Sequence, residues 1–214
     1  PMLADPEGLL PSWWADTRQG GGWLGAQASH MIDQVRTSLG EFQGVSAGLN
    51  LVSNRTMTAE DSFTIHFRLE SGVEGVMQST AGAWGPPVFT TRIAGTSGTV
   101  WVDFDTVWLA DKQGTAKVTV PDDLVLAPPH PPEADLLVTA YDQLHAFGID
   151  LAPYTRLAQT WRDSILGLPV PAGPAPATFA DGVALMEVLD AVRLSNAERR
   201  WVEIPEAKAR AGAR

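Results

Sequence analysis

The chain has 214 residues, 44% hydrophobic and 19% charged, and 15 Lys+Arg against 25 Asp+Glu leave it at −10. That apolar share supports a sizeable core and excludes a disordered or coiled-coil chain, while the acidic balance has the wrong sign for a nucleic-acid or anionic-membrane binder. With no cysteine there are no disulfides, thiolate nucleophiles or Cys-ligated zinc; with no apolar run near the membrane-span length and no signal-peptide pattern, a cytoplasmic protein is expected.

Residues 1–19 are rich in Pro and Trp and lack periodicity, which predicts an irregular segment pinned by Trp13 and Trp14. After Gly20-Gly21-Gly22, the residues Leu24, Ala28, Met31, Val35 and Leu39 recur at helical spacing and Gly40 follows, so one helix is predicted from Trp23 to Leu39. The period then changes to two. Val45, Ala47, Leu49 and Leu51 mark a half-buried strand. Phe63, Ile65, Phe67 and Leu69 mark a second, which turns at Ser71-Gly72 into a third run from Val73 to Ala81. Short strands at Val88–Ala94, Thr99–Asp103, Thr106–Ala110 and Ala116–Val120 continue the pattern as an antiparallel meander.

A Pro-rich connector over 121–134 precedes amphipathic helices at Ala134–Phe147 and Tyr154–Leu166, and Pro169–Pro176 forms another connector. Thr178-Phe179-Ala180-Asp181 reads as a capping box opening a helix that carries Val183, Met186, Leu189, Val192 and Leu194. A short strand at Arg200–Ile204 closes the fold, a single domain over 1–205 with a flexible tail at 206–214. The order predicts an α+β fold: an open, predominantly antiparallel sheet with helices packed on one face. The other face, with Ser62, Thr64, His66 and Arg68, is available for solvent or dimerisation.

Gly20-Gly21-Gly22-Trp23-Leu24-Gly25 satisfies G-x-G-x-x-G, yet no apolar strand precedes it, which removes the context a dinucleotide fingerprint needs. His30 lies off the apolar stripe of the same helix, with Gln27 three residues before it; histidine is the residue type suited to general-base chemistry near neutral pH. His66, His130 and His145 are scattered without ligand spacing, and no metal site is expected. Asp103 and Asp105 are read as turn caps, and no nucleophile-elbow, phosphate-loop or zinc-peptidase motif occurs. Asn54-Arg55-Thr56 fits a glycosylation sequon, a chance match without a secretory signal. Of the eight tryptophans, Trp14, Trp23 and Trp84 adjoin turns or glycines, where an indole can wall a sugar-sized pocket, although core packing suits most of them.

Three stretches, Gly20 to Asp33, Ile93-Ala94-Gly95-Thr96-Ser97-Gly98-Thr99-Val100, and Phe179-Ala180-Asp181-Gly182 with Asp190-Ala191-Val192 and Ser195, together resemble the C-terminal half of the Gfo/Idh/MocA oxidoreductases. The resemblance runs from about Trp14 to Ile204. It implies a domain whose open sheet makes a homodimer or higher homo-oligomer, appended to an N-terminal Rossmann domain that binds NAD or NADP and supplies a Glu-Lys-Pro lysine. That domain is absent from this sequence, and the lack of an initiator Met fits an excised fragment, inactive alone, of a protein longer by about 100–150 residues.

The same resemblance matches His30 to a catalytic histidine that takes the hydroxyl proton of a sugar, polyol or related substrate. Gln27, Trp14 and Trp84 are then the expected substrate-binding residues. The family's Asp, four residues before the histidine, is Ala26 here. Three alternatives follow from that departure: a shifted proton relay, a different substrate, or a non-catalytic module that senses ligand or binds protein. A pure assembly domain is a further reading.

Overall fold

The computed structural model describes residues 3–5, 7–8, 10–85, 88–103, 106–121, 151–169 and 175–205, which form two compact units, Pro1–Pro87 with Ala177–Arg214 and Val88–Pro176. The first unit carries a four-stranded antiparallel sheet in the order β3-β2-β1-β8, built from β1 (Phe42–Asn50), β2 (Ser62–Leu69), β3 (Glu74–Thr80) and β8 (Val202–Glu203). The period-two pattern of β2 sets its two faces: Phe63, Ile65, Phe67 and Leu69 are buried, and Thr64, His66 and Arg68 are exposed.

Two helices complete this core. The chain from Leu24 to Leu39 is a π-helical turn, Leu24–Ala28, running into α1, Ser29–Leu39. Leu24, Ala28 and Ile32 are fully buried, with Met31, Val35 and Leu39 packed beside them. Ile32, outside the predicted stripe, takes a central place because the wider π turn shifts the phase of the residues that follow it.

The other helix is α3, Phe179–Glu198, with Thr178 and Asp181 closing the predicted capping box in both directions. Its buried residues are Val188, Leu189, Ala191, Val192 and Ser195. Val183 and Met186, predicted on the same buried stripe, are 59% and 48% exposed and join Phe179 on the opposite side. The helix is apolar on both sides along its first half, so periodicity could not separate the faces.

Side chains of α3 also finish the edge of β1. The two-residue β8 pairs only with Gly44 and Val45. Further along β1, the Ala47 amide donates to Ser195 Oγ at 3.0 Å and the Leu49 amide to Asn196 Oδ1 at 2.9 Å. An unpaired buried amide costs free energy comparable to a lost hydrogen bond, so these two side chains fix the helix on the strand. At the far end Arg36 grips both oxygens of Glu41 at 2.8 Å and the Asp181 carbonyl at 3.0 Å, joining α1 to the start of α3. The Thr178 hydroxyl and amide hold the Asp181 carboxyl below its usual range. Thr178→Ala is expected to cost about 1 kcal/mol, read as a lower urea midpoint with an unchanged slope.

The second unit holds the predicted meander as its own sheet, β4-β5-β6-β7, from β4 (Thr90–Gly95), β5 (Gly98–Asp103), β6 (Thr106–Asp111) and β7 (Gly114–Lys117). The single run of strands read from the sequence therefore becomes two four-stranded sheets. Trp101 and Trp108, opposite each other in register, stack at 6.1 Å. The helix α2 spans Leu151–Leu166, starting ahead of the predicted Tyr154 because Pro153 is tolerated in a first turn. The predicted helix Ala134–Phe147, most of the 121–134 connector, Asp105 and the tail at 206–214 lie outside the described residues. Among those described, no helix is long and apolar enough to cross a membrane.

Candidate functional site

The segment from Trp13 to Leu24 folds back on itself before the helix begins. Asp16 caps a short 3-10 turn, Thr17–Gln19, and hydrogen bonds from the Gln19 and Arg18 side chains pull its carboxyl down to about 2. Thr17 ties the reversal to the segment before β2, its amide donating to Thr58 Oγ1 at 3.1 Å and its hydroxyl to the Thr58 carbonyl at 2.7 Å.

Two of the glycines, Gly21 and Gly22, are required by close approach. A Cβ on Gly21 would lie 2.3 Å from the Trp14 carbonyl oxygen, and one on Gly22, at φ +112°, would lie 2.1 Å from Glu60 Oε1. Glu60 also accepts the Trp23 amide on its carbonyl at 2.8 Å and the Leu24 amide on Oε1 at 3.0 Å. A carboxylate thus occupies the start of the helix, where a dinucleotide pyrophosphate would sit in a nucleotide-binding loop. Two anions cannot share that position, so the glycine segment is not a phosphate cradle; Gly22 makes room for Glu60, and Gly21 for the Trp14 carbonyl.

His30 stands in the first turn of α1 and is exposed, and among the described residues it makes no hydrogen bond or ion pair. Gln27 and Ala26 lie in the preceding π turn, both half-buried. Trp14 packs edge-on against Trp23 at 6.1 Å, and the Trp23 indole donates to Ser79 Oγ at 2.9 Å, which anchors the helix start to β3. Trp84 is 71% exposed, between β3 and the end of the first unit. The structure therefore places Gln27 and His30 on one continuous helical element with Trp14 beside its start.

A cleft of about 690 Å³ lies between the Thr17–Gly21 reversal, the end of β1 with Leu51, the 57–60 segment and α3. None of His30, Gln27, Trp14 and Trp84 lines it. It is bordered instead by Glu60, Asn50, Asn196, Met57 and Met186, all missed by sequence reasoning. No local pattern marks them; the one clue was an unexplained triple glycine before a helix. A smaller hollow of about 320 Å³ adjoins it at Arg18, Met57 and Thr58. Among the described residues no group of three or more His, Asp or Glu is placed to hold a metal ion.

Comparison with known proteins places the fold in a family context. Residues 3–101 match the model of the GFO/IDH/MocA C-terminal domain. An uncharacterized oxidoreductase of Synechocystis sp. is 27% identical, the match covering 91% of this chain and 53% of that protein. The structure of levoglucosan dehydrogenase in complex with NADH and levoglucosan superposes with a TM-score of 0.68 at 24% identity, covering 95% of this chain and 55% of that one. An oxidoreductase from Agrobacterium radiobacter in complex with NAD+, L-tartaric acid and magnesium gives 0.67 at 18% identity, covering 90% and 52%. The chain spans about half the length of the relatives it matches.

Proposed function

We propose, from the premise that residues 3–101 belong to the GFO/IDH/MocA C-terminal domain family, that residues 1–205 are the substrate and dimerisation domain of an NAD(P)-dependent oxidoreductase acting on a sugar, polyol or related hydroxyl compound. The observation that carries this reading is His30, an exposed imidazole in the first turn of a helix whose start is locked by Glu60 and Trp23. Its backbone sits on a rigid element and its imidazole is open to solvent, where the hydroxyl of a bound substrate can reach it.

The residues of this chain fit part of such a site. With Glu60 closing the glycine segment against phosphate, the dinucleotide is held by a separate Rossmann domain. When bound, the nicotinamide supplies the hydride acceptor. His30 takes the hydroxyl proton as the carbonyl forms. Gln27, one helical turn before it, donates or accepts a hydrogen bond on the substrate without carrying charge. Trp14 and Trp84 wall the substrate. The open face of the first sheet, with His66, Arg68 and the 66%-exposed Val76, makes the homodimer contact.

The test is a spectrophotometric assay of the full-length protein with NAD+ or NADP+ against a panel of sugars and polyols. Nicotinamide reduction with at least one of them is expected. Ala26, in place of a carboxylate, favours the second reading, a non-catalytic ligand-sensing or protein-binding module. Nucleotide or sugar binding without turnover across the panel would replace the first reading with that one.

A further inference from the structure

The helix that carries Gln27 and His30 begins without a cap of its own. Trp23, at the cap position, is already helical and its side chain makes no cap hydrogen bond, and neither the π turn nor α1 has an acidic residue in its first turn. The first amides of a helix have no partner within it and need acceptors from elsewhere. Glu60 supplies two of them: its carbonyl accepts the Trp23 amide at 2.8 Å and its Oε1 the Leu24 amide at 3.0 Å. Its carboxylate also puts a negative charge at the positive end of the helix. Gly22 is what admits it, since a Cβ there would fall on that carboxylate.

Glu60 is itself held on both sides. The Thr58 and Ala59 amides donate to the Ala15 carbonyl at 2.9 and 3.2 Å. The next residue, Asp61, is fully buried, its amide bonded to the Asn50 carbonyl at 3.1 Å and its carbonyl to the Ala81 amide at 2.9 Å. The acceptors offered to the helix are therefore fixed in advance by the strand ends. They act on the π turn Leu24–Ala28, a wide turn that sets the phase of the helix after it, with Gln27 inside the turn and His30 two residues beyond it. We propose that Glu60 is a positioning residue: by fixing the two amides at the start of the π turn, it sets the direction in which Gln27 and His30 leave the helix. Its consequence for turnover rests on the assignment of His30 as proton acceptor, and its consequence for the turn does not.

The test compares Glu60→Gln, Glu60→Asp and Glu60→Ala in the full-length protein by amide hydrogen exchange, by 15N amide shifts and by turnover across the sugar and polyol panel. Gln keeps an oxygen at the native reach, whereas Asp keeps the charge but is one methylene short of the Leu24 amide. In Glu60→Asp and Glu60→Ala, exchange at Leu24 should be about ten-fold faster, and amide shifts should move from Leu24 to His30 but not along β2. Their kcat should fall by about 10–100-fold, more than KM rises, because a misplacement of about 1 Å far from the chemistry can cost about 10²-fold. Glu60→Gln should restore all three readouts. If Glu60→Ala does not fold, Glu60→Asp decides. Native exchange at Leu24 in Glu60→Asp, a loss in Glu60→Gln equal to that in Glu60→Asp, or native kcat with the Leu24 amide freed would each overturn the proposal. If the native protein turns over nothing in the panel, the reading of His30 fails, and exchange and shifts alone decide the role of Glu60.

Discussion

On the proposed function, replacing His30 with alanine in the full-length protein is expected to lower kcat by about 10²–10⁴-fold, the usual contribution of a positioned general acid or base. The melting temperature should not move, because the side chain is exposed and has no hydrogen-bond or ion-pair partner among the described residues. A loss confined to kcat would place the imidazole in the transition state, whereas a rise in KM alone would make it a binding contact. Near-normal turnover with unchanged KM would remove His30 from the mechanism. The companion variant Gln27→Glu supplies a carboxylate one turn before the histidine. A rise in its activity would mean that a carboxylate one turn before His30 strengthens the proposed proton relay; a fall would favour Gln27 as a neutral substrate contact.

The residues on which this argument rests differ in how far they could be read from the chain alone. Strand β2 was legible from Phe63 to Leu69, since burial on one face and solvent on the other impose a period of two that no helix shares, whereas Ser62, read on the open face, is buried with its hydroxyl bonded to Asp61 and Thr80. The capping box at Thr178 and Asp181 was legible because its partners are three residues apart. The π turn before His30 was not. It has no residue signature of its own, yet it shifts the phase of the helix that follows, so that Ile32 and not only the predicted stripe is buried.

Longer-range features were hidden for a plainer reason. Glu60 reaches its partner Leu24 across 36 residues of sequence, and Asn196 reaches Leu49 across 147. Nothing local to either residue encodes the contact. The division of the strands into two sheets was equally invisible, because a turn between paired strands and a connection between sheets use the same Gly- and Pro-rich residues. α3 shows the opposite difficulty, a strong local signal with two solutions. Apolar residues on both sides of a helix say that both are to be covered, not which side meets this sheet.

The largest stability effect is expected at Asp61, which closes the excursion between β1 and β2. Its carboxylate is fully buried: Oδ1 accepts the Val52 amide at 2.8 Å and the Ser62 hydroxyl at 2.9 Å, and Oδ2 accepts the Ser53 amide at 2.8 Å. Its own amide and carbonyl bond to the Asn50 carbonyl and the Ala81 amide, so one residue joins the ends of β1, β2 and β3. Asp61→Ala leaves two amides and a hydroxyl without their acceptor, at about 1–3 kcal/mol for each buried group left unsatisfied. A total loss of about 3 kcal/mol would lower Tm by about 6–12 °C for a chain of this size. Asp61→Asn is the sharper test, because one of its two positions facing a backbone amide becomes an NH2, donor against donor, and most of the loss should persist.

The pH dependence follows from the direction of the Asp61 shift. Burial alone would push its carboxyl up, but the hydrogen bonds from the Val52 and Ser53 amides and the Ser62 hydroxyl outweigh it, and the folded value lies below the ordinary 3.8. A group depressed on folding contributes stability that is complete above its unfolded value and is lost as pH falls through the folded one. The gap between the native chain and Asp61→Asn, measured by urea unfolding, should therefore be constant at neutral pH and narrow as the solution is taken below about pH 4. A gap that stays the same into the acid range would mean that the carboxylate is not ionised in the fold, and the three donors around it would need another account.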